Sequence, residues 1–360
     1  MNHIVDMQRR HILQPDVLAH RAGQIAGSFH EPPAPFDVPI VRASRRAMAT
    51  LFEVLLPCTL PRASAAVEAA LDLIDELEDQ LSVFRDHSEV SRLNARAPFE
   101  RVVVEGRLFD LLERAAHLTR ETQGAFDIAT GPLIKAWGFY KRHGRVPSVP
   151  ERAEAMSRTG MRHVVLERED RMVHYLRPGL EINLGGIGKG YALDRAAELL
   201  RDEWNISRCL LHGGASSVVA LGTPGGHQRG WPVALKHPWD ERGPLGTLWL
   251  RDRALGTSAA TYQHFDYNGR KLGHLLDPRT GWPAEGTAQV TVLAPTAAEA
   301  DALSTALFVL GPDAAREYCR THPEIAAVVL PSGLDARPIL FNLEPDSFTL
   351  PLPAEEPAGI

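Results

Sequence analysis

The sequence predicts an α+β fold, with mixed or antiparallel sheets flanked by helices. Three observations carry this. Short strand-like runs crowd together at 209–212, 217–221, 232–236 and 246–250 without a helix after each, whereas a parallel doubly wound sheet needs a crossover helix between its strands. Residues 162–177 read as two strands around Glu169-Asp170, the local pattern of a hairpin. Amphipathic helices stand apart from these runs. In 64–81, Val67, Ala70, Leu71, Ile74, Leu77 and Leu81 fall on one face, with Glu68, Asp72, Asp75, Glu76 and Asp79 elsewhere.

The remaining elements follow in order. Residues 1–40 form an extension ending in a proline-rich linker, 41–348 the folded body, and 349–360 a mobile tail rich in proline and glutamate. A strand is expected at 50–56. Ser88 has the chemistry to cap a short helix with Ser91 and Arg92 in its first turn. A helix at 107–122 stops at Gln123-Gly124. A strand at 180–184 leads through a glycine-rich turn into a helix at 191–204, and another strand lies at 289–293. Thr296 with Glu299 three residues on is a capping box for a helix over 296–311. A helix at 312–322 and a strand at 325–330 complete the body, and no internal repeat is present.

Composition narrows the function classes. The chain of 360 residues is 44% hydrophobic and 23% charged, enough apolar material for a sizeable core. A net charge of −6 argues against nucleic acid as the partner. No apolar run reaches the length of a membrane span, so no integral membrane segment is expected. Arg9-Arg10 is followed by no apolar region of signal-peptide type, and Cys58, Cys209 and Cys319 are scattered. The expected compartment is therefore the reducing cytoplasm.

Five blocks carry chemistry. In the 296–311 helix, Asp301 and Thr305 are four apart and share a face, with Ser304 beside them, while Ala300, Leu303, Leu307 and Leu310 form a separate apolar stripe. A carboxylate and a hydroxyl suit Mg²⁺, which takes oxygen ligands and keeps room for water and phosphate; the plainer alternative is a solvated helix face. No His/Cys cluster has zinc spacing. The turn Gly185-Gly186-Ile187-Gly188-Lys189-Gly190 lets backbone approach an anionic ligand at a helix start, or is simply a tight connection. It has neither Walker A nor dinucleotide-fingerprint spacing. Residues 124–133, followed by Trp137-Gly138-Phe139, place aromatics around Asp127, either to wrap a flat heterocycle or as core. Residues 82–94 hold Phe84, Arg85 and the Ser88 cap, and alone read as a capped surface helix with ion pairs. Finally, His274-Leu-Leu-Asp277-Pro-Arg279-Thr280-Gly281 sets an imidazole, a carboxylate and a phosphate-matching guanidinium beside a Pro/Gly turn, or is a hairpin end with ordinary charges.

Taken in order, Met48-Ala-Thr50, the 82–94 segment, 124–133 with Trp137-Gly138-Phe139, the 183–194 segment, His212-Gly213-Gly214, 274–281 and 290–311 resemble the ApbE family of flavin transferases. These enzymes move FMN from FAD onto a Thr or Ser of a target protein. The resemblance implies an ApbE-like (T-fold-like) architecture, FAD as donor, Mg²⁺, and an acceptor protein with a flavin-attachment hydroxyl. It assigns Met48, Phe84, Ala125, Phe126, Asp127, Asn183, Lys189 and Arg279 to FAD. It assigns Asp301, Thr305 and the Gly186 carbonyl, with Ser304 adjacent, to the metal. It assigns catalysis to His274, with Asp277 either holding the imidazole tautomer or shaping the turn. Against the family pattern, Asn183 stands for Asp, Ala49 and Ala259 for Gly, Thr261 for Tyr, and His212 for Asn. Two other activities use the same sites: an FAD pyrophosphatase giving FMN and AMP, and a catalytically silent FAD-binding protein.

Overall fold

The computed structural model describes residues 38–141, 144–214, 216–225, 229–238, 244–259, 264–267, 270–333 and 335–350. Most of the expected N-terminal extension and C-terminal tail, together with Thr261, lies outside them. The chain opens with β1 (Ile40–Ala47) and β2 (Thr50–Pro57), joined by Met48 and Ala49 at φ 48 and 61. Two positive φ values in a two-residue loop make a turn whose twist matches the strands and which favours Asn-Gly. Then come α1 (Ala63–Leu81), α2 (Glu89–Arg96), β3 (Val102–Val103), α3 (Gly106–Glu121), α4 (Gly131–Ala136) and α5 (Val149–Ser157). β4 (Val164–Glu167), β5 (Met172–Tyr175) and α6 (Gly188–Asp202) follow.

A strand-rich stretch comes next: β6 (Cys209–Gly213), β7 (Ser217–Leu221), β8 (Trp231–Lys236), β9 (Pro244–Leu250) and β10 (Arg253–Ala259). It continues with the hairpins β11 (His264–Tyr267)/β12 (Arg270–Gly273) and β13 (Leu276–Asp277)/β14 (Trp282–Pro283), then β15 (Thr287–Ala294). The chain closes with α7 (Ala297–Leu310), α8 (Pro312–Thr321), β16 (Ala326–Pro331), β17 (Ile339–Phe341) and β18 (Phe348–Thr349).

An eight-stranded sheet in the order β1-β2-β6-β7-β10-β15-β16-β17 is the frame, and each of these pairings is antiparallel. Helices α1, α6 and α7 pack over one face and enclose the main core, with Phe52, Ile74, Leu200, Leu211, Val292 and Phe308 fully buried. The three-stranded sheet β18-β9-β8 covers the other face, where Leu255 and Val328 meet Trp231 and Leu248. β15 is buried at every residue because both its faces are covered. A third cluster, Leu133, Trp137, Ala155, Leu272 and Leu276, hangs the β12–β13 segment on α4 and α5. The expected α+β fold with antiparallel sheets is therefore observed.

Local expectations mostly hold, with instructive differences. Ser88 caps α2, accepting from the Ser91 amide at 2.9 Å. Residues 180–184 form no sheet ladder, contrary to expectation. Their backbone groups are taken instead by Asn94, which holds both the N–H and the C=O of Ile182, and by the 128–131 loop. Helix α6 starts at Gly188, earlier than residue 191, because the glycines at its start are helical. Only half of the capping box at Thr296 forms. The Thr296 hydroxyl accepts from the Glu299 amide, while the Glu299 carboxylate reaches Arg114.

Candidate active site

Helix α7 is buried on almost every side, so its polar residues are not a solvated face. Asp301 is 5% exposed and Ser304 is 1% exposed. Two glycines allow this helix to seat so deeply. A side chain on Gly190 of α6 would overlap the carbonyl of Ala297, and one on Gly256 of β10 would overlap the backbone at Ala300 and Asp301. Backbone meets backbone at both places. Asp301 consequently accepts from the Gly190 amide at 2.8 Å and from the Ser217 hydroxyl at 2.7 Å. Lys189 Nζ lies 3.9 Å from the same carboxylate. Burial pushes the Asp301 carboxyl up; the Lys189 charge, the Ser217 hydrogen bond and the Gly190 amide pull against it.

Hydroxyls cluster one turn further along α7. Ser304 and Thr305 both donate back to the Asp301 carbonyl, at 2.9 and 3.3 Å. Ser258 of β10 stands 2.9 Å from the Ser304 hydroxyl and 3.2 Å from that of Thr305. Asp194 of α6 fixes the start of α7, accepting from the amides of Ala297 and Ala298 at 2.7 and 2.8 Å. Ser217, Ser258, Asp194 and Gly256 escaped sequence reasoning. A glycine one residue away from a Thr-Ser pair in a strand of small residues was the one available signal.

The glycine-rich turn closes over this end of α7. A methyl placed on Gly186 would lie 3.4 Å from the Phe126 ring and 3.8 Å from the Thr305 hydroxyl. Three separate blocks of sequence, 124–133, 183–190 and 296–311, thus meet at one point. Asn183 shapes the turn by accepting from the Gly185 amide at 2.8 Å, and its own amide donates to the Ile128 carbonyl at 2.7 Å. An aspartate would accept the first bond equally well, so the departure to Asn183 removes charge and keeps geometry. Ala125 and Phe126 are buried. The Asp127 carboxylate binds the amides of Ala129 at 2.7 Å and Met161 at 2.9 Å, and so folds the loop that carries Phe126. Burial raises its pKa against the pull of those two amides.

Two further predicted positions are Met48 and Phe84. Met48 packs on the main core at the tip of the β1–β2 hairpin. Phe84 is 65% exposed and lies against Tyr140, ring centroids 4.7 Å apart.

The 274–281 turn attaches to the same loop. Arg279 lies with its stem against Gly124, and Trp137 Nε1 donates to the Gly281 carbonyl at 2.9 Å. Its charges answer each other. Arg279 grips Asp277 through Nε and Nη2, both at 2.9 Å, and the Arg279 amide donates to Asp277 Oδ1 at 2.9 Å. These bonds shape the turn. The Arg279 fork is occupied by that carboxylate, so a phosphate would have to compete for it. His274 is half-buried in the bend between β12 and β13.

Comparison with known proteins now bears on this arrangement. The model of the ApbE family matches residues 48–329. The chain belongs to the ApbE family. It is 31% identical over 285 residues to the FAD:protein FMN transferase of Escherichia coli (strain K12), covering 76% of this chain and 80% of that protein. It is 32% identical over 280 residues to the enzyme of the same name from Treponema pallidum (strain Nichols), covering 74% and 77%. Among solved structures, the ApbE protein of Thermotoga maritima superposes with a TM-score of 0.73 at 30% identity, over 81% of this chain and 94% of that one. The flavinyl transferase ApbE of Pseudomonas stutzeri gives 0.74 at 25%, over 86% and 99%.

ApbE membership raises the question of whether these residues suit Mg²⁺. At the Asp301 end of α7 the side chains are a carboxylate and four hydroxyls, of Ser217, Ser258, Ser304 and Thr305, with the Gly186 backbone alongside. Among the described residues no group of three or more His, Cys, Asp or Glu side chains is placed to hold a metal ion. A hard, oxygen-only donor set fits Mg²⁺ and not zinc. A buried carboxylate whose ammonium neighbour stands 3.9 Å away also gains from a divalent cation.

Proposed function

We propose that this ApbE chain is an Mg²⁺-dependent FAD:protein FMN transferase, which moves FMN from FAD to a Thr or Ser hydroxyl of an acceptor protein and releases AMP. The observation that carries the reading is the meeting of Gly186, Phe126 and Thr305 at the buried Asp301. It puts an aromatic wall, a glycine turn at a helix start and a hard-cation donor set within one small space.

FAD enters as substrate. Met48 and Phe84 offer apolar surface to its rings, the buried Ala125 and Phe126 form the segment assigned to them, and Asn183, Lys189 and Arg279 offer donors to its polar groups. The Lys189 ammonium faces the pyrophosphate from the start of α6, where helix starts favour anions, while the Gly188 and Gly190 amides are held by Leu184 and Asp301. Asp127 works by holding the Phe126 loop through its two amide bonds. Asp301, Thr305, the Gly186 carbonyl and the neighbouring Ser304 would hold Mg²⁺, which when bound supplies charge neutralisation to the pyrophosphate oxygens. His274 accepts the acceptor hydroxyl proton as the acceptor oxygen bonds to the FMN phosphorus. The phosphorus–oxygen bond to AMP then breaks, and AMP leaves with the electron pair. Asp277, locked to Arg279, keeps the turn that presents His274.

The test is product stoichiometry. Purified protein, FAD, Mg²⁺ and a flavin-accepting domain should give one AMP per flavinylated acceptor by chromatography. Equal amounts of free FMN and AMP, with no flavinylated acceptor, would instead make the chain a pyrophosphatase. FAD left intact would make it a binding protein.

A further inference from the structure

The sheet beneath α7 presents two hydroxyls to an otherwise apolar layer. Period-two alternation on β10 turns Ala254, Gly256 and Ser258 toward α7, while Leu255 joins the opposite core. Gly256, where helix and strand backbones touch, pairs in register with Ser217 of β7. So the two serines flank the point of closest approach. Ser217 is fully buried and Ser258 is 9% exposed. Around them the same face carries Leu211, Val219, Ala254 and Val292. Packing alone would be met there by alanine or valine, and a buried hydroxyl is costly without a partner. Both reach the proposed cation ligands: Ser217, with the Ser216 hydroxyl 3.4 Å away, donates to Asp301 Oδ1 at 2.7 Å, and Ser258 meets Ser304 and Thr305 at 2.9 and 3.2 Å.

We propose that Ser217 and Ser258 are positioning residues for the cation. The inference rests on the Mg²⁺ reading given above. Ser217 holds Oδ1 while the Gly190 amide holds Oδ2, so the carboxylate plane is fixed from both sides and each oxygen keeps a lone pair for a metal. Ser258 fixes the other ligand. Thr305 donates its proton to the Asp301 carbonyl, and contact with Ser258 then leaves the Thr305 oxygen one settled direction in which to accept a cation. Groups behind the direct ligands set metal affinity in this manner, and losing one typically weakens binding about 10–100-fold. Packing of β7 and β10 against α7 thereby sets the affinity of the site.

The test measures binding of Mn²⁺, a spectroscopic substitute for Mg²⁺, to the FAD-free protein by the paramagnetic resonance signal of free Mn²⁺. Ser217→Ala and Ser258→Ala are expected to weaken binding about 10–100-fold. FAD affinity measured without metal should stay at the wild-type value. Ser258→Thr, which keeps the hydroxyl, should stay within about threefold of wild type, a rescue that a mere packing role would not give. Should an alanine variant fail to fold, cysteine at the same position carries the test, because a thiol fills the space but donates weakly. Wild-type Mn²⁺ affinity in the folded Ser217 and Ser258 variants overturns the proposal while leaving the metal reading standing. A wild-type protein that binds no Mn²⁺ overturns the metal reading itself.

Discussion

The Asp301 end of α7 and the 274–281 turn are built on opposite principles. The first is a core site. Asp301 and Ser304 are buried, and their neighbours are backbone amides and hydroxyls fixed by two helices and two strands. The second is a turn on a small satellite core, buried at Leu276 and Asp277 and exposed at Arg279 and Thr280, with Trp282 still 38% exposed and stacked under Arg152 at 4.5 Å. Within it, Asp277 and Arg279 satisfy each other, while Leu275 packs against the main core. A buried seat suits an ion whose ligand distances are strict. An exposed turn suits a partner as large as a protein. The two halves of the proposed reaction, donor activation and acceptor delivery, thus fall on the rigid and the exposed region respectively.

Several substitutions would break or sharpen this contrast. His274→Ala should have the largest effect on turnover, lowering the flavinylation rate about 10²–10⁴-fold. Mn²⁺ affinity should be unchanged, since His274 is assigned to the acceptor and not to the metal. Asp301→Asn should lower the rate about 10²–10³-fold and abolish Mn²⁺ binding, which equilibrium dialysis would show. Should His274→Ala weaken Mn²⁺ binding as much as Asp301→Asn does, the two regions are not independent. Gly256→Ala should force α7 off β10, costing about 1–3 kcal/mol in denaturant unfolding and weakening Mn²⁺ binding at the same time. A loss of stability with unaltered metal affinity would show that the depth of the seat is irrelevant to the ion.

Two smaller effects concern the β1–β2 pair. Glu53 faces His212 across the β2–β6 pair at 3.0 Å and Arg42 at 2.6 Å. Burial pushes its carboxyl up, but the hydrogen bonds and charges of His212 and Arg42 outweigh that and hold it below the ordinary 4.5. A depressed folded pKa contributes stability above the unfolded value and loses it as pH falls. The midpoint of thermal unfolding should therefore drop below about pH 4.5, and Glu53→Gln should flatten that drop. Ala49→Gly should raise stability by about 1 kcal/mol, because Ala49 holds φ 61, where a Cβ is disfavoured. No gain in chemical denaturation would mean that the hairpin tip relaxes the strain elsewhere.

How much of this was legible in the sequence follows the same divide. Asp301 and Thr305 announced themselves by helical spacing, and the 274–281 turn by its Pro/Gly punctuation. The family pattern then ordered the blocks. The residues that join the blocks stayed hidden. β10 was missed because its small residues, Gly256 and Ser258 among them, answer to the close approach of α7 and not to strand propensity. Ser217 looked like any strand serine, since its bond to Asp301 spans 84 residues of sequence. The 180–184 segment looked like a strand and is not one, because the Asn94 side chain replaces its ladder. In the sequence Asp277 reads as a support for His274 or for the turn and Arg279 as an FAD contact, and the two grip each other, a pairing that side-chain geometry alone reveals.

The most direct test of the central claim is covalent flavin on an acceptor. The protein is incubated with FAD and a flavin-accepting domain, with Mg²⁺ or with a chelator, and the products are resolved on a denaturing gel under ultraviolet light. The predicted result is a fluorescent acceptor band with Mg²⁺, none with chelator, and none when the acceptor lacks its attachment hydroxyl. A band of equal intensity in chelator, or no band under any condition while FAD is consumed, would contradict the account.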